Sequence, residues 1–168
     1  MMLDRCRAIL TSALAPLGLK ETITEEKDAG KLKPTPYAVL LWGDEDLQRS
    51  RRRLGHTDDL ATGTRTIHRQ VARRTIWLIV RLVAETTTQL DGLVTQLVAN
   101  LPPRVQDPEL GTITVSLRGA ETPVAEGVIR RQAQWEGTIE FVAPVLGSTQ
   151  VRLFNLETEL ALQTETEQ

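Results

Sequence analysis

Few residues in this sequence have types and spacing that could do chemistry: His56 and His68, Cys6, the carboxylate pairs Asp44/Asp46 and Asp58/Asp59, and a dense group of arginines. A tetrahedral metal site needs four nitrogen, sulfur or oxygen ligands in convergent positions. Two histidines twelve residues apart, with the single cysteine remote from both, supply no second cluster to complete one. The carboxylate pairs lie in polar, turn-like stretches, where the burial that tunes a general acid is not expected. No G-x-x-x-x-G-K-[ST] phosphate loop, no G-x-G-x-x-G after a strand and no G-x-S-x-G elbow is present. The expectation is a protein that acts by binding other proteins and not as an enzyme, with no catalytic residue, metal ligand, cofactor site or small-molecule substrate.

The arginines are the chemistry that remains. Residues 48–74 carry Arg49, Arg51, Arg52, Arg53, Arg65, Arg69, Arg73 and Arg74 against only Asp58 and Asp59, eight positive charges to two negative. Such a group can pair with carboxylates on a protein or neutralise phosphates of a nucleic acid in a salt-dependent way. No aromatic residue occurs between Trp42 and Trp77, so the stacking platform of single-strand binders is missing. The segment therefore reads as a solvated loop or a protein-docking arm, with a nucleic-acid-binding module as the alternative. Residues 155–168 form its opposite, with four glutamates, Glu157 and Glu159 among them, and no basic residue. The candidate interface residues are the eight arginines together with Glu157 and Glu159.

The elements that would position these groups follow from hydrophobic period. Leu3, Cys6, Leu10, Ala13, Leu14 and Leu17 share one helical face, which predicts a helix over 2–17 stopped by Pro16 and Gly18. Lys20–Lys27 reads as a polar edge strand and 28–30 as a turn. Tyr37–Trp42 reads as a buried strand entered past Pro34 and Pro36. Residues 48–74 keep no apolar period and read as a long, mobile basic loop. Thr75–Glu85 predicts a central strand covered on both faces, with Arg81 as its one misfit. Thr86–Thr88 supply an N-cap, with Asp91 in the first turn, for a second amphipathic helix through Leu101, ended by Pro102 and Pro103. Ile113–Leu117 and Ala133–Val145 alternate as strands, Gly119–Gly127 connects them, and Gly147 reads as a turn into a last run, Val151–Phe154. The fold class predicted is α+β: one domain over 1–154, a mostly antiparallel sheet carrying two amphipathic helices and a long basic loop, followed by the acidic tail 155–168.

Composition sets the outer bounds. The chain has 168 residues, 40% hydrophobic and 25% charged, with a net charge of −2. That size supports one core, and that charge argues against bulk attraction to nucleic acid. Aromatics are only 4%, so the core must be aliphatic. One cysteine allows no intrachain disulfide, and a small buried hydrophobe is the expected role of Cys6. The polar start carries no visible signal peptide, and no run approaches the roughly 20 apolar residues of a membrane span. The expected compartment is the cytoplasm or a particle assembled there.

The order of elements, carried by Tyr37–Trp42, by Arg74–Glu85, by helix 87–101 and by Trp135–Pro144, resembles the tail terminator proteins of long-tailed bacteriophages. The resemblance covers most of residues 1–154. It implies a homo-oligomeric ring, commonly a hexamer, that caps the tail tube within the virion. Its partners would be the tail tube protein and a head-completion (neck) protein, with the sheath as a further neighbour. Another neck or baseplate connector is the nearest alternative role.

Overall fold

The N-terminal stripe folds as its spacing predicts. Helix α1 (Met2–Leu14) buries Met2, Cys6, Leu10, Ala13 and Leu14. A 3-10 turn over Ala15–Leu17 then closes on Gly18 at φ 66, a left-handed conformation that glycine adopts without the Cβ penalty. The computed structural model describes residues 1–24, 33–121 and 132–153. The expected turn at 28–30, most of the connection 119–127 and the acidic tail lie outside them.

Six strands follow: β1 (Glu21–Ile23), β2 (Tyr37–Asp59), β3 (Thr64–Ala84), β4 (Arg104–Asp107), β5 (Gly111–Glu121) and β6 (Ala133–Arg152), with helix α2 (Thr87–Asn100) between β3 and β4. They form a mixed sheet in the order β1-β2-β3-β6-β5-β4. β1 runs parallel to β2, with Glu21 opposite Tyr37 and Ile23 opposite Val39. β4, β5 and β6 are antiparallel neighbours. β2 and β3 are joined by only four residues, too few for a parallel crossover, so they form an antiparallel hairpin.

The α+β class and both helices agree with the sequence reading. Residues 48–74 do not: they are strand except for a tight turn at 60–63, not a long loop. Hydrophobic period could not reveal them, because of these residues only Ala72 is buried. Gly147 is likewise not a turn, since β6 runs through it to Arg152. A Cβ there would sit 2.9 Å from Val71 Cγ1, so this glycine serves a close strand approach. β4 was not anticipated. Its four residues carry no apolar alternation, and it exists by pairing with β5.

The described residues divide into two compact units, 1–48 with 73–144, and 49–72 with 145 onward. The first holds the core. Ile76, Leu78, Val80, Leu82 and Ala84 of β3 join Ala38 and Leu40 of β2, Ile139, Phe141 and Ala143 of β6, and Ile113 and Val115 of β5 against the two helices. Burial of this kind contributes roughly 25 cal/mol per Å² of apolar surface. The opposite face carries a smaller cluster of Ile23, Tyr37, Val39 and Val83. Trp77, Ile79 and Arg81 on that face are only half-buried, so β3 is covered fully on one side and partly on the other. Burial pushes the Cys6 thiol up to about 12, which leaves it neutral and unreactive at ordinary pH.

α2 begins as predicted at Thr86, whose side chain accepts a hydrogen bond from Gln89 N at 3.2 Å. Asp91 falls beyond the first turn and so lies too far along the helix to act on its N-terminal dipole. Leu90, Leu93 and Leu97 are its buried face.

Candidate functional site

The second unit is built from the distal parts of β2 and β3 and the end of β6. At its tip Asp59 Oδ1 accepts hydrogen bonds from Ala61 N at 3.0 Å and Thr62 N at 3.3 Å. Gly63 supplies the positive φ of 61 that the turn needs. Beside it Leu153 N donates to Gly63 O at 2.8 Å and Gln150 Nε2 to Thr64 Oγ1 at 3.1 Å. Rising numbers in β3 thus meet falling numbers in β6, an antiparallel pairing. Of residues 49–72 and 145–153 only Ala72 is buried. Leu54, Leu60, Val71, Leu146 and Val151 are exposed. Among the described residues this unit is a three-stranded sheet with no helix and no core of its own.

The candidate arginines separate into two kinds. Arg65 is taken: its Nε and a terminal nitrogen fork onto both Asp58 oxygens at 2.6 and 2.7 Å. The hydrogen bond from Arg65 holds the Asp58 carboxyl below the usual aspartate range. In the first unit Arg74 is taken by Glu45 through a single hydrogen bond, Nε to Oε1 at 2.6 Å. Arg53 touches His56 Nδ1 at 3.4 Å and Thr57 shares a hydrogen bond with His68 Nε2 at 3.2 Å, so both histidines serve the strand pair. Arg49, Arg51, Arg52, Arg53, Arg69 and, in the first unit, Arg73 are exposed. Among the described residues none of these six makes an ion pair. The structure brings Arg49, Arg51 and Arg69 to one hollow of about 320 Å³, shared with Ser50, Gln70 and Val71. Among the described residues no carboxylate lines it, so the hollow has a cationic wall suited to an anionic group. Glu157 and Glu159 lie outside the described residues.

Two polar arrangements of the first unit escaped the sequence reading. Arg81, the misfit of β3, forks onto Glu136 Oε2 at 2.8 and 3.0 Å. Beside it the buried Glu140 accepts from Trp77 Nε1 at 3.2 Å and pairs with Arg118 at 2.9 Å. Arg118 sits where the register of β5 shifts between Leu117 and Gly119, a bulge of the kind that re-aims a side chain. The alternation of Gln132–Glu140 was the available signal, but sequence cannot say which strand lies alongside. The second arrangement is a cavity of about 520 Å³ between α1, the end of α2 and β4, with Arg5, Asn100 and Asp107 on its wall. Arg5 meets Asp107 at 3.1 Å. Asp107 also accepts from Leu110 N and Glu109 N, each at 2.9 Å, and these bonds hold its carboxyl below the usual range.

Among the described residues no group of three His, Cys, Asp or Glu side chains could hold a metal ion. No described helix is long and apolar enough to cross a membrane. Comparison with protein-family models and with curated proteins gives no match.

Proposed function

We propose that this chain is a structural assembly protein of a phage particle, ending the tail tube as a homo-oligomeric ring and joining it to the head-completion proteins. It acts by binding and not by catalysis, in a virion assembled in the host cytoplasm. The observation that carries this reading is the second unit: among the described residues, three strands with one buried residue, arginines without an ion pair, and exposed leucines and valines. Ordering a residue costs about 1–2 kcal/mol of backbone entropy, and a sheet without a core offsets little of that by its own burial. Arginine mixed with aliphatic side chains is the composition of protein interfaces, where arginine is enriched and lysine depleted. A closed ring needs a heterologous surface of this kind, presented by each subunit to the next. The test is the place and copy number of the chain in the assembled particle, read by electron cryomicroscopy. A ring of six at the end of the tail tube is expected. A position elsewhere would defeat the assignment and favour another neck or baseplate connector.

A nucleic-acid-binding module is the second reading, favoured by the carboxylate-free hollow of Arg49, Arg51 and Arg69. Binding to duplex DNA that falls steeply with salt, with a log–log slope of about −0.9 per phosphate contacted, would support it. The assembly reading expects only weak DNA binding at physiological ionic strength.

A further inference from the structure

β2 is paired on one side by β3. On the other side β1 reaches only Tyr37, Ala38 and Val39. Among the described residues nothing pairs with the outer edge of residues 49–59. An edge strand of this length presents a row of open N–H and C=O groups, a ready template for another strand. Alternation along β2 puts Arg49, Arg51 and Arg53 on one face and Arg52 and Leu54 on the other. The same alternation is written into the C-terminal sequence: Glu157, Glu159, Glu165 and Glu167 share one parity, and Leu156, Leu160 and Leu162 the other. As a strand, that segment would present carboxylates at the two-residue step of the β2 arginines and leucines on the face of Leu54.

We propose that residues 156–167 of one copy add as a strand to the outer edge of β2, residues 49–59, of a second copy. Cross-strand pairs of opposite charge then set the register, at about 5 Å between Cβ atoms of directly opposed residues. The second copy is favoured over the same chain by reach. Leu153 is held beside Gly63, on the β6 side of β3. A strand added outside β2 would lie three strand spacings from the β6 position of Leu153, about 14 Å. Phe154 and Asn155 would have to reverse the chain and also cross that distance, at no more than about 3.6 Å per residue. Donation from each copy to the next is head-to-tail, the arrangement that closes rings. The inference rests on the assembly reading, because it takes the partner to be another copy of this chain.

The test uses full-length protein and sedimentation. Reversing the tail with Glu157→Lys, Glu159→Lys, Glu165→Lys and Glu167→Lys should weaken self-association about tenfold or more. Mixing that variant with a chain carrying Arg49→Glu, Arg51→Glu and Arg53→Glu should restore much of the loss. Arg51→Cys in one chain and Glu157→Cys or Glu159→Cys in another should give a disulfide-linked dimer on oxidation, since the buried Cys6 does not compete. Unchanged association after tail reversal, or a disulfide only within one chain carrying both cysteines, overturns the proposal. A ring that persists with the reversed tail sinks this inference and leaves the assembly reading standing. A wild-type chain that stays monomeric and outside any ring defeats both.

Discussion

The two units share three strands yet follow opposite rules. In the first, β3 reads Ile-Trp-Leu-Ile-Val from 76 to 80 and its inner face is wholly buried. In the second, β2 and β3 carry six arginines over residues 49–72 and bury only Ala72. Strand conformation is therefore not evidence of a core. The first unit is held by apolar burial, the second by backbone ladders, a tight turn and side-chain hydrogen bonds such as Asp58–Arg65. One follows from hydrophobic pattern, whereas the other depends on what lies alongside.

The largest effect should come from the core of the first unit. Phe141 is fully buried among the residues of β3 and β5, and Phe141→Ala should cost about 3–5 kcal/mol. Chemical denaturation read by far-ultraviolet circular dichroism checks this. A cost below about 1 kcal/mol would mean that the core tolerates the cavity and that the two units differ less than their burial suggests.

Glycines sharpen the comparison at smaller scale. A Cβ on Gly43 would lie 2.8 Å from the Trp77 carbonyl oxygen, which is backbone. A Cβ on Gly147 would meet Val71 Cγ1 at 2.9 Å, but that side chain is 44% exposed and free to rotate. Gly43→Ala should therefore destabilise by about 1–3 kcal/mol and Gly147→Ala by less than about 1 kcal/mol. Equal costs in thermal denaturation would show that the second unit is as tightly packed as the first.

Legibility in the sequence divides along the same line. Both helices, the Thr86 cap, the start of β2 and most of β3 and β6 could be read because each buries one face and keeps its period. The stretch 48–74 could not. Its arginines break the apolar alternation, and its strands exist through partners up to ninety residues away, as Leu153 bonding to Gly63 shows. The candidate arginines were named from charge alone. Charge could not tell Arg65 and Arg74, which are occupied, from Arg49, Arg51 and Arg69, which share a hollow. Nor could it find Glu140 or Asp107, whose roles depend on which strand or turn faces them.

Carboxyl titration separates the units in a different way. Asp58 in the second unit and Asp107 in the first are both held below the usual range. A lowered folded pKa contributes stability that is present above the unfolded value, near 3.8. That stability is lost as pH falls through the folded value, so both groups add to acid unfolding below about pH 4. The causes differ. Asp58 depends first on the exposed Arg65 guanidinium, and Asp107 first on two backbone N–H groups of its turn. Salt screens an exposed ion pair far more than a local backbone hydrogen bond. Carboxyl-carbon NMR titrations at low and high salt should move Asp58 back toward the ordinary value and leave Asp107 nearly in place. Equal movement would show that Arg5, and not the turn, dominates Asp107.

The smallest effect is expected on the exposed faces of the hairpin. Leu60 is 86% exposed at the tip, and Arg52 is exposed without an ion pair among the described residues. Leu60→Ser and Arg52→Gln should each stay within about 0.5 kcal/mol of the parent in denaturant unfolding. Nothing buried is removed and no hydrogen bond is lost. If these faces meet a neighbour, the same substitutions should be felt only where subunits associate. The outer-edge amides of 49–59 should then exchange quickly in dilute protein and slow in the assembled form, while amides of β3 near Val80 stay protected in both. A large stability loss from either substitution in the dilute protein would mean that the hairpin already folds against something within its own chain. Its arginines would then support the local fold and not an interface.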